Sequence, residues 1–587
     1  MSNSTLVSFA SLRTLLDTVV QSGGEGSSPD ILALAKAHSL ELGLGAFTIF
    51  VTRYMYQLLK RANALKELDG PSPISSIWGD ENLLSDFENG LSAHNELLNR
   101  YGSACRIKGP LGEDRLWTAD PRAINDIILK GFDHFHEPEG LLAELHRWFD
   151  LSFGPTIISQ IGHKHKIQRK ILNPVFTAAH MRKCNGITPI FHSITHYLED
   201  AVTSKVRAGG GKTGIVDIYT WMSNVALEMI GQAGIGHSFG VMEGKEPEYI
   251  DASRQLFRMW YIRPFLPVLM KIGTARFRRF VVEHIPHGPA NEMQKAVEIM
   301  DKMATDIYAQ KKEALANGTL DSEIAAGNDI ISMLLKQNEV VPPKDQMSEE
   351  EILAQVNSLI FAGHDTTSGG LTRTLHLLAQ HPEVQDQLRA EIREAHGLHG
   401  KELDYDQLNS LTYLDAVCRE SLRLWSPAQT LERVAMKDWN LPLHYPVKSK
   451  DGKKMVTSLN IPEGTHIYIS LGSVNRDKQT WGDDADKFNP ARWLSPPPAT
   501  VTESRIPGVY SNMMTFSGGP RSCLGFKFSQ LEMKVVLSAL VASFKFELGS
   551  EEHMWGAAGV VKPHVRHQDG TIDPAPSLRM KVTLVDE

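Results

Sequence analysis

The sequence predicts a mainly α-helical domain with a small β region, and three observations carry this prediction. Apolar residues recur at helical spacing over most of the chain between Thr118 and about residue 430. Short alternating segments predict strands at Ala104–Ile107, Arg115–Thr118 and Thr465–Leu471. Hydrophobic residues make up 42% and charged residues 22% of the 587 residues, which is typical of a large globular body with a real core.

The clearest helix is predicted to begin at Ser348. Ser348 and Glu351 have the spacing of a capping box, in which each side chain bonds the other's backbone N–H. Apolar residues then follow at helical spacing at Ile352, Val356, Leu359 and Ile360. Further helices are predicted to begin at Pro382 and near Thr412.

Charge and cysteine content exclude several functional classes. The net charge is −8, which argues against a nucleic-acid partner. The four cysteines are too few for a disulfide scaffold and are not spaced as zinc ligands; they are Cys105, Cys184, Cys418 and Cys523. A reducing, cytosol-facing environment is expected.

The N-terminal region is interpreted as a membrane-anchor candidate and linker, residues 1–70, ahead of a catalytic domain, residues 71–587. Leu40–Leu59 is the most apolar stretch, although Arg53 interrupts it. The linker is the turn-prone segment Gly70–Pro73. Basic residues follow Leu59 directly, so the positive-inside rule places the domain in the cytosol. The stretch either spans the membrane or lies on it as an amphipathic helix.

The strongest chemical signal is a glycine-rich loop around Cys523. It reads Phe-Ser-Gly-Gly-Pro-Arg-Ser-Cys-Leu-Gly from Phe516 to Gly525. Glycines allow the backbone to turn sharply. A helical pattern follows at Leu531–Leu540, so the sulfur is expected near a helix N-terminus, where a thiolate is favoured.

This loop resembles the haem-ligand loop of the cytochromes P450, F-x-x-G-x-R-x-C-x-G, at all five defining positions, and the chain is most like fungal microsomal members. The resemblance implies that Cys523 is the axial ligand of the iron of haem b, with Phe516 and Arg521 beside the cofactor. A thiolate ligand favours cleavage of the O–O bond, and this family is the standard example of that effect in haem chemistry. The implied fold holds the haem between an oxygen-binding helix and the cysteine loop.

A second segment, Phe361–Thr367, lies inside the capped helix and resembles the family's oxygen-binding motif, A/G-G-x-D/E-T-T/S. Gly363 is expected to remove a side chain where the helix passes close to the iron. The Thr366 hydroxyl can donate to the Ala362 carbonyl, which is expected to open the helix locally. Asp365 and Thr366 are the implied catalytic pair, relaying protons to bound oxygen.

Glu420 and Arg423 match the family's E-x-x-R motif and share one helix face. The resemblance implies a buried ion pair, with Arg492 from the Phe488–Trp493 segment as its third partner. This triad is structural and holds the haem-ligand region.

The remaining implied cofactor contacts are a histidine and three arginines. His165 and Arg169 resemble the family's W-x-x-x-R segment, with His in place of the commoner Trp. Arg169, Arg433 and Arg521 are the implied partners of the haem propionates, since guanidinium binds carboxylate in a bidentate fork.

Two other patterns are interpreted as coincidences. Gly236–Gly240 matches G-x-S-x-G, but that nucleophile elbow needs a preceding strand, and Ile218–Ile230 is predicted to be helical. His192 and His196 are four residues apart like zinc ligands, but the intervening residues lack the catalytic Glu of H-E-x-x-H.

The predicted function is a monooxygenase that inserts one atom of O2 into an apolar small molecule, with terpenoid or other secondary metabolism as the expected setting. The chain has no G-x-G-x-x-G site, so electrons are expected from a separate NADPH-cytochrome reductase. A basic patch is predicted as its docking surface, formed by Lys164, Lys166, Lys170 and Lys527. The expected location is the endoplasmic reticulum membrane. Alternatives are a haem-thiolate isomerase or dehydratase, a non-enzymatic haem carrier, and a serine hydrolase that uses Ser238.

Overall fold

The computed structural model describes residues 64–74, 79–109, 112–136, 152–182, 187–258, 275–284, 288–319, 329–556 and 559–585, with single positions between 48 and 61. The chain forms two compact units, Met1–Ala64 and Leu65–Glu587. In the first unit, positions 48, 52, 55, 56 and 59–61 are helical. No described helix is both long and apolar enough to cross a bilayer. Cys184 and most of Leu40–Leu59 lie outside the described residues. The domain boundary at residue 70 stays a prediction.

Helices dominate the second unit. The α-helices are α1 (Glu81–Leu84), α2 (Gly90–Tyr101), α3 (Pro121–Asn125), α4 (Gly162–Leu172), α5 (Ala178–Met181), α6 (Ile187–Arg207), α7 (Ile218–Met229), α8 (Glu248–Arg258), α9 (Ala275–Glu283), α10 (Pro289–Asn317), α11 (Ile330–Val340), α12 (Glu349–Gln380), α13 (Pro382–His399), α14 (Tyr405–Ser410), α15 (Thr412–Leu424), α16 (Leu471–Val474), α17 (Lys478–Trp481), α18 (Ala499–Ser504) and α19 (Phe526–Ser543). The prediction of a mainly α fold with a small β region is confirmed.

The strands are short and mostly antiparallel. They are β1 (Ala104–Lys108), β2 (Asp114–Thr118), β3 (Phe135–His136), β4 (Thr213–Asp217), β5 (Thr430–Ala435), β6 (Trp439–Lys448), β7 (Met455–Ile461), β8 (His466–Ser470), β9 (Gly508–Tyr510), β10 (Met513–Gly518), β11 (Phe544–Leu548), β12 (Glu552–Gly556), β13 (Lys562–Arg566) and β14 (Arg579–Leu584). The largest sheet has the order β1-β2-β8-β5-β3, in which only β2 and β8 run parallel. A further sheet has the order β11-β14-β4, and β12 pairs with β13 as a hairpin.

The long helix α12 forms the centre of the core, and its start is local in origin. The Ser348 hydroxyl accepts from the Glu351 N–H at 3.2 Å, and the Glu351 carboxylate accepts from the Ser348 N–H at 2.9 Å. This reciprocal cap satisfies two N–H groups that the first turn would leave without partners. Beyond the cap, α12 packs against α7, α10, α15 and α19. The predicted capped helix is therefore confirmed.

Helix α7 continues beyond Met229 as a wider, π-helical segment, Ile230–Ile235. Such π segments are rare and often occur at functional sites. Helix rather than strand therefore precedes Gly236–Gly240, and the Ser238 hydroxyl donates to Glu228. These findings agree with rejecting the hydrolase interpretation of that segment.

Candidate active site

The cysteine loop connects strand β10 to helix α19 and is closed by backbone bonds. The Cys523 N–H donates to the Phe516 carbonyl at 2.8 Å. Gly519 has a φ of 65°, and a Cβ there would lie 2.7 Å from the Ile128 carbonyl oxygen. A side chain at this position would therefore be strained and would collide with backbone. The predicted need for glycine is explained by this contact with the neighbouring segment.

Cys523 opens into an internal cavity, whereas Cys105 and Cys418 are buried in the core. Desolvation by the surrounding protein raises the pKa of the Cys523 thiol above its usual value; the Gly525 N–H and the Arg169 guanidinium offset only part of this rise. The Gly525 N–H at the start of α19 acts in the direction expected of a helix N-terminus, since it lowers the pKa of the thiol. A coordinated metal ion deprotonates a thiol outright.

Helix α12 forms a second wall of the same cavity. Thr366 lines it, and its hydroxyl donates to the Ala362 carbonyl at 2.8 Å, as predicted. The expected local opening is wrong, because α12 remains α-helical through both residues. The bond to the carbonyl four residues earlier satisfies the hydroxyl without interrupting the helix.

Gly363 lines the cavity as well, but its missing side chain has an additional reason. A Cβ at Gly363 would lie 2.8 Å from Cγ1 of Ile230, the first residue of the π-helical segment. Ile230 itself lines the cavity. Glycine thus allows α7 to approach α12 closely enough for Ile230 to become part of the cavity wall.

Asp365 does not line the cavity, although its neighbour Thr366 does. Its Oδ2 accepts from Nζ of Lys562 in β13 at 2.8 Å, and the carboxylate side chain is 5% exposed. Consecutive residues of an α-helix point about 100° apart. The acid and the hydroxyl therefore lie on different faces of α12.

His165 and three arginines also border the cavity; the arginines are Arg169, Arg433 and Arg521. The Arg169 guanidinium donates to the Ser522 carbonyl at 2.6 Å, and that of Arg521 donates to the Gln160 carbonyl at 2.7 Å. Burial lowers the pKa of Arg169. The three arginines come from α4, β5 and the cysteine loop, and tertiary packing brings them to one cavity.

The ion pair predicted between Glu420 and Arg423 is present and fully buried. Two bonds of 2.8 Å join the carboxylate to the guanidinium. Nε of Arg492 lies 3.4 Å from the same carboxylate, and the Trp493 indole N–H donates to it at 2.9 Å. Arg423 also donates to the backbone carbonyls of Asn475 and Ala485, which ties α15 to the chain that leads to the cysteine loop.

The cavity has a volume of about 350 Å³, within the roughly 300–1,000 Å³ range of cofactor and ligand sites. Its apolar walls were not predicted from the sequence; they include Ile157, Ile158, Phe176, Ile230, Leu359, Leu431 and Phe528. A haem fits this donor set, because its iron needs a thiol that opens into the cavity and its two carboxylates need guanidinium partners. Among the described residues no cluster of three or more His, Cys, Asp and Glu side chains is arranged to hold a metal ion.

Such a cavity, with one accessible thiol beneath a hydroxyl-bearing helix, is that of a haem-thiolate enzyme. The family model described as "Cytochrome P450" matches residues 76–565. The chain belongs to the cytochrome P450 family, whose members carry haem, and it is a monooxygenase of that family.

Similar proteins include fungal cytochrome P450 monooxygenases. Cytochrome P450 monooxygenase 91 of Postia placenta is 40% identical over 85% of this chain and 91% of its own length. Cytochrome P450 monooxygenase 212 of the same fungus is 38% identical over 91% of this chain and 97% of its own. Ganoderic acid synthetase CYP5150L8 of Ganoderma lucidum is 39% identical over 79% of this chain and 85% of its own.

Proposed function

We propose that the protein uses haem b, held by Cys523, to insert one atom of O2 into an apolar, terpenoid-like substrate. The observation that carries this proposal is that Cys523 and Thr366 line one cavity whose other walls are largely aliphatic and aromatic. The relative named ganoderic acid synthetase supports a terpenoid substrate class. When bound, the haem would supply the activation of O2, a reaction that consumes two electrons and two protons.

In this scheme the protein's own residues bind the haem, shape the cavity wall and position the proton donors. Arg169, Arg433 and Arg521 hold the haem carboxylates, and His165 lies beside them. Gly363 and Ile230 shape the wall next to Thr366. The Thr366 hydroxyl holds a proton at the cavity surface. Asp365, on the face of α12 that points away from the cavity, supplies that proton as a positioned general acid does.

The electrons come from a separate NADPH-dependent reductase. A surface concavity of about 510 Å³ lies beside the cysteine loop, lined by Lys166, Arg169, Lys170, Asn173 and Gly519 among others. An acidic partner would be steered to this basic surface. Lys166 already lies 3.4 Å from Asp133, so part of its charge is screened locally.

The proposed location is the cytosolic side of the endoplasmic reticulum membrane, with Leu40–Leu59 as the attachment. Support comes from the sequence, since Lys60, Arg61 and Lys66 follow the apolar stretch. Whether this stretch spans the bilayer or lies on it is decided by extraction of membranes with high salt, which releases only a peripheral protein.

The test of the haem assignment is the ferrous carbon monoxide spectrum. The red-shifted Soret band of a thiolate ligand should be lost in Cys523→Ala and retained in Cys105→Ala, Cys184→Ala and Cys418→Ala. A retained band in Cys523→Ala would refute the assignment. Substrate candidates are then screened by the spin shift that they induce in the wild-type protein.

A further inference from the structure

One face of α12 points away from the cavity and packs on the β12–β13 hairpin. A Cβ at Gly369 would lie 3.2 Å from the Val561 carbonyl oxygen. The Arg373 guanidinium lies 4.0 Å from the centre of the Trp555 ring. Residues four and eight positions after Asp365 share its helix face. The hairpin is therefore held against the face that carries the acid.

Lys562, the first residue of β13, reaches Asp365 through this contact. Their 2.8 Å ion pair joins a side chain that is 13% exposed to one that is 5% exposed. His364 places its Nδ1 4.0 Å from Oδ1 of Asp365, and Tyr249 of α8 is close enough for Asp365 to raise the Tyr249 pKa, after burial. Lys562 meets the carboxylate directly, and it lies on the more exposed side of the pair.

The segment directly before Lys562 is also held in place by backbone contacts with the chain that forms the cavity wall. The Val561 N–H donates to the Pro427 carbonyl at 3.0 Å, and Val560 bridges Ala428. That segment leads into β5, which carries Leu431 and Arg433 of the cavity wall. The hairpin is thus fixed both to α12 and to the chain that forms the cavity.

We propose that Lys562 is a positioning residue for proton delivery, holding Asp365 ionised and fixed so that it can accept protons from the solvent side and pass them toward Thr366. A buried carboxylate without a cation would be driven to its neutral form, and a general acid works only if it cycles between both forms. In each passage the proton moves from water to Asp365, and from Asp365 to the Thr366 side. This role rests on the proposed function.

Infrared difference spectroscopy of the resting holoprotein tests the ionisation directly. Lys562→Met keeps much of the side-chain length but removes the ammonium, so a carboxylic-acid C=O band should appear. The band should be absent from Lys562→Met/Asp365→Asn and from Lys562→Arg, which restores the cation. In Asp365→Asn alone, no carboxylic-acid band should disappear. Loss of a band there, or no new band in Lys562→Met, would overturn the proposal.

The second readout needs only a reductase, NADPH and oxygen, with no organic substrate. Two electrons and two protons reduce O2 to peroxide, whereas four of each reduce it to two waters, which requires proton delivery for O–O cleavage. Wild-type protein should therefore consume more than one NADPH per peroxide released. In Lys562→Met this ratio should fall toward one, and it should do the same in Thr366→Ala. Lys562→Arg should return toward the wild-type ratio.

Two controls separate the possible failures. Lys581→Met removes an exposed lysine that pairs with Glu547 at 3.1 Å on another sheet, and it should leave the ratio unchanged. A wild-type ratio in Lys562→Met, or a failure of Lys562→Arg to restore it, would overturn the role of Lys562. If the haem assignment were wrong, the wild-type protein would lack the thiolate band in its carbon monoxide spectrum. The infrared result would still report on the ion pair.

Discussion

Glu532 is a buried carboxyl group with no ion-pair partner among the described residues, and its removal should change how stability depends on pH. The side chain is fully buried in α19, and neither carboxyl oxygen accepts a hydrogen bond from the described residues. Burial raises the pKa of Glu532 well above its ordinary value of 4.5; the Thr367 hydroxyl offsets part of this rise but donates its own bond to Ser529. The folded protein therefore keeps a proton that the unfolded chain releases.

The sign and size of the effect follow from this difference. Above about pH 4.5 the folded state binds more protons at Glu532 than the unfolded state, so the free energy of unfolding falls as pH rises, by about 1.4 kcal/mol per pH unit, until the folded pKa is reached. Below about pH 4.5 both states are protonated and the contribution is fully present. Glu532→Gln keeps the shape, cannot ionise, and should lack this slope.

Denaturant unfolding of the holoprotein at several pH values measures the difference. Wild type and Glu532→Gln should have similar stability near pH 4.5, and the variant should then gain on wild type by about 1.4 kcal/mol per pH unit until the folded pKa is reached. Exposed Glu552 serves as the matched control, since Glu552→Gln should follow wild type. Parallel curves for wild type and Glu532→Gln would refute the reasoning.

Two further predictions concern packing and electron delivery. Gly363→Ala should lower the stability of the protein by about 1–3 kcal/mol, because the new Cβ would lie 2.8 Å from Ile230; adding Ile230→Ala should recover part of that loss in thermal unfolding, and no recovery would place the cause elsewhere. Lys166→Glu/Lys170→Glu should slow reduction by the reductase about tenfold or more at low salt, with a smaller effect at high salt, while leaving substrate-induced spin shifts unchanged. An equal loss of spin shift and reduction rate would indicate misfolding instead of lost docking.

Local chemistry explains which elements could be predicted from the sequence. The capping box at Ser348 needs only a spacing of three residues, and α12 begins where it predicts. The bond from Thr366 to Ala362 is likewise set by helix geometry alone. The Glu420–Arg423 pair follows from an i,i+3 spacing. In each case the partners are neighbours along one helix, so tertiary structure adds burial without changing the contact.

The contacts that sequence reasoning missed are long-range. Asp365 and Lys562 are 197 residues apart, and no local pattern marks Lys562 as the partner of the acid. Ile230 enters the cavity wall because a π-helical segment meets Gly363, and nothing in its own neighbourhood predicts that meeting. Glu532 carried a weak signal, since it is an acid within the apolar run of α19. Its complete burial depends on packing against α12 and could not be read from spacing.

The adjacency of Asp365 and Thr366 in sequence therefore has a different meaning in three dimensions. On α12 the Thr366 hydroxyl faces the cavity, while the Asp365 carboxylate, about 100° around the helix, faces Lys562 on the hairpin. The motif is better understood as a connection through α12 than as a pair of groups acting at one point. If so, the residue that opposes the acid matters as much as the acid itself. Asp365→Asn and Lys562→Met should then disturb the ratio of NADPH to peroxide in the same direction, although only Asp365 belongs to the recognisable motif.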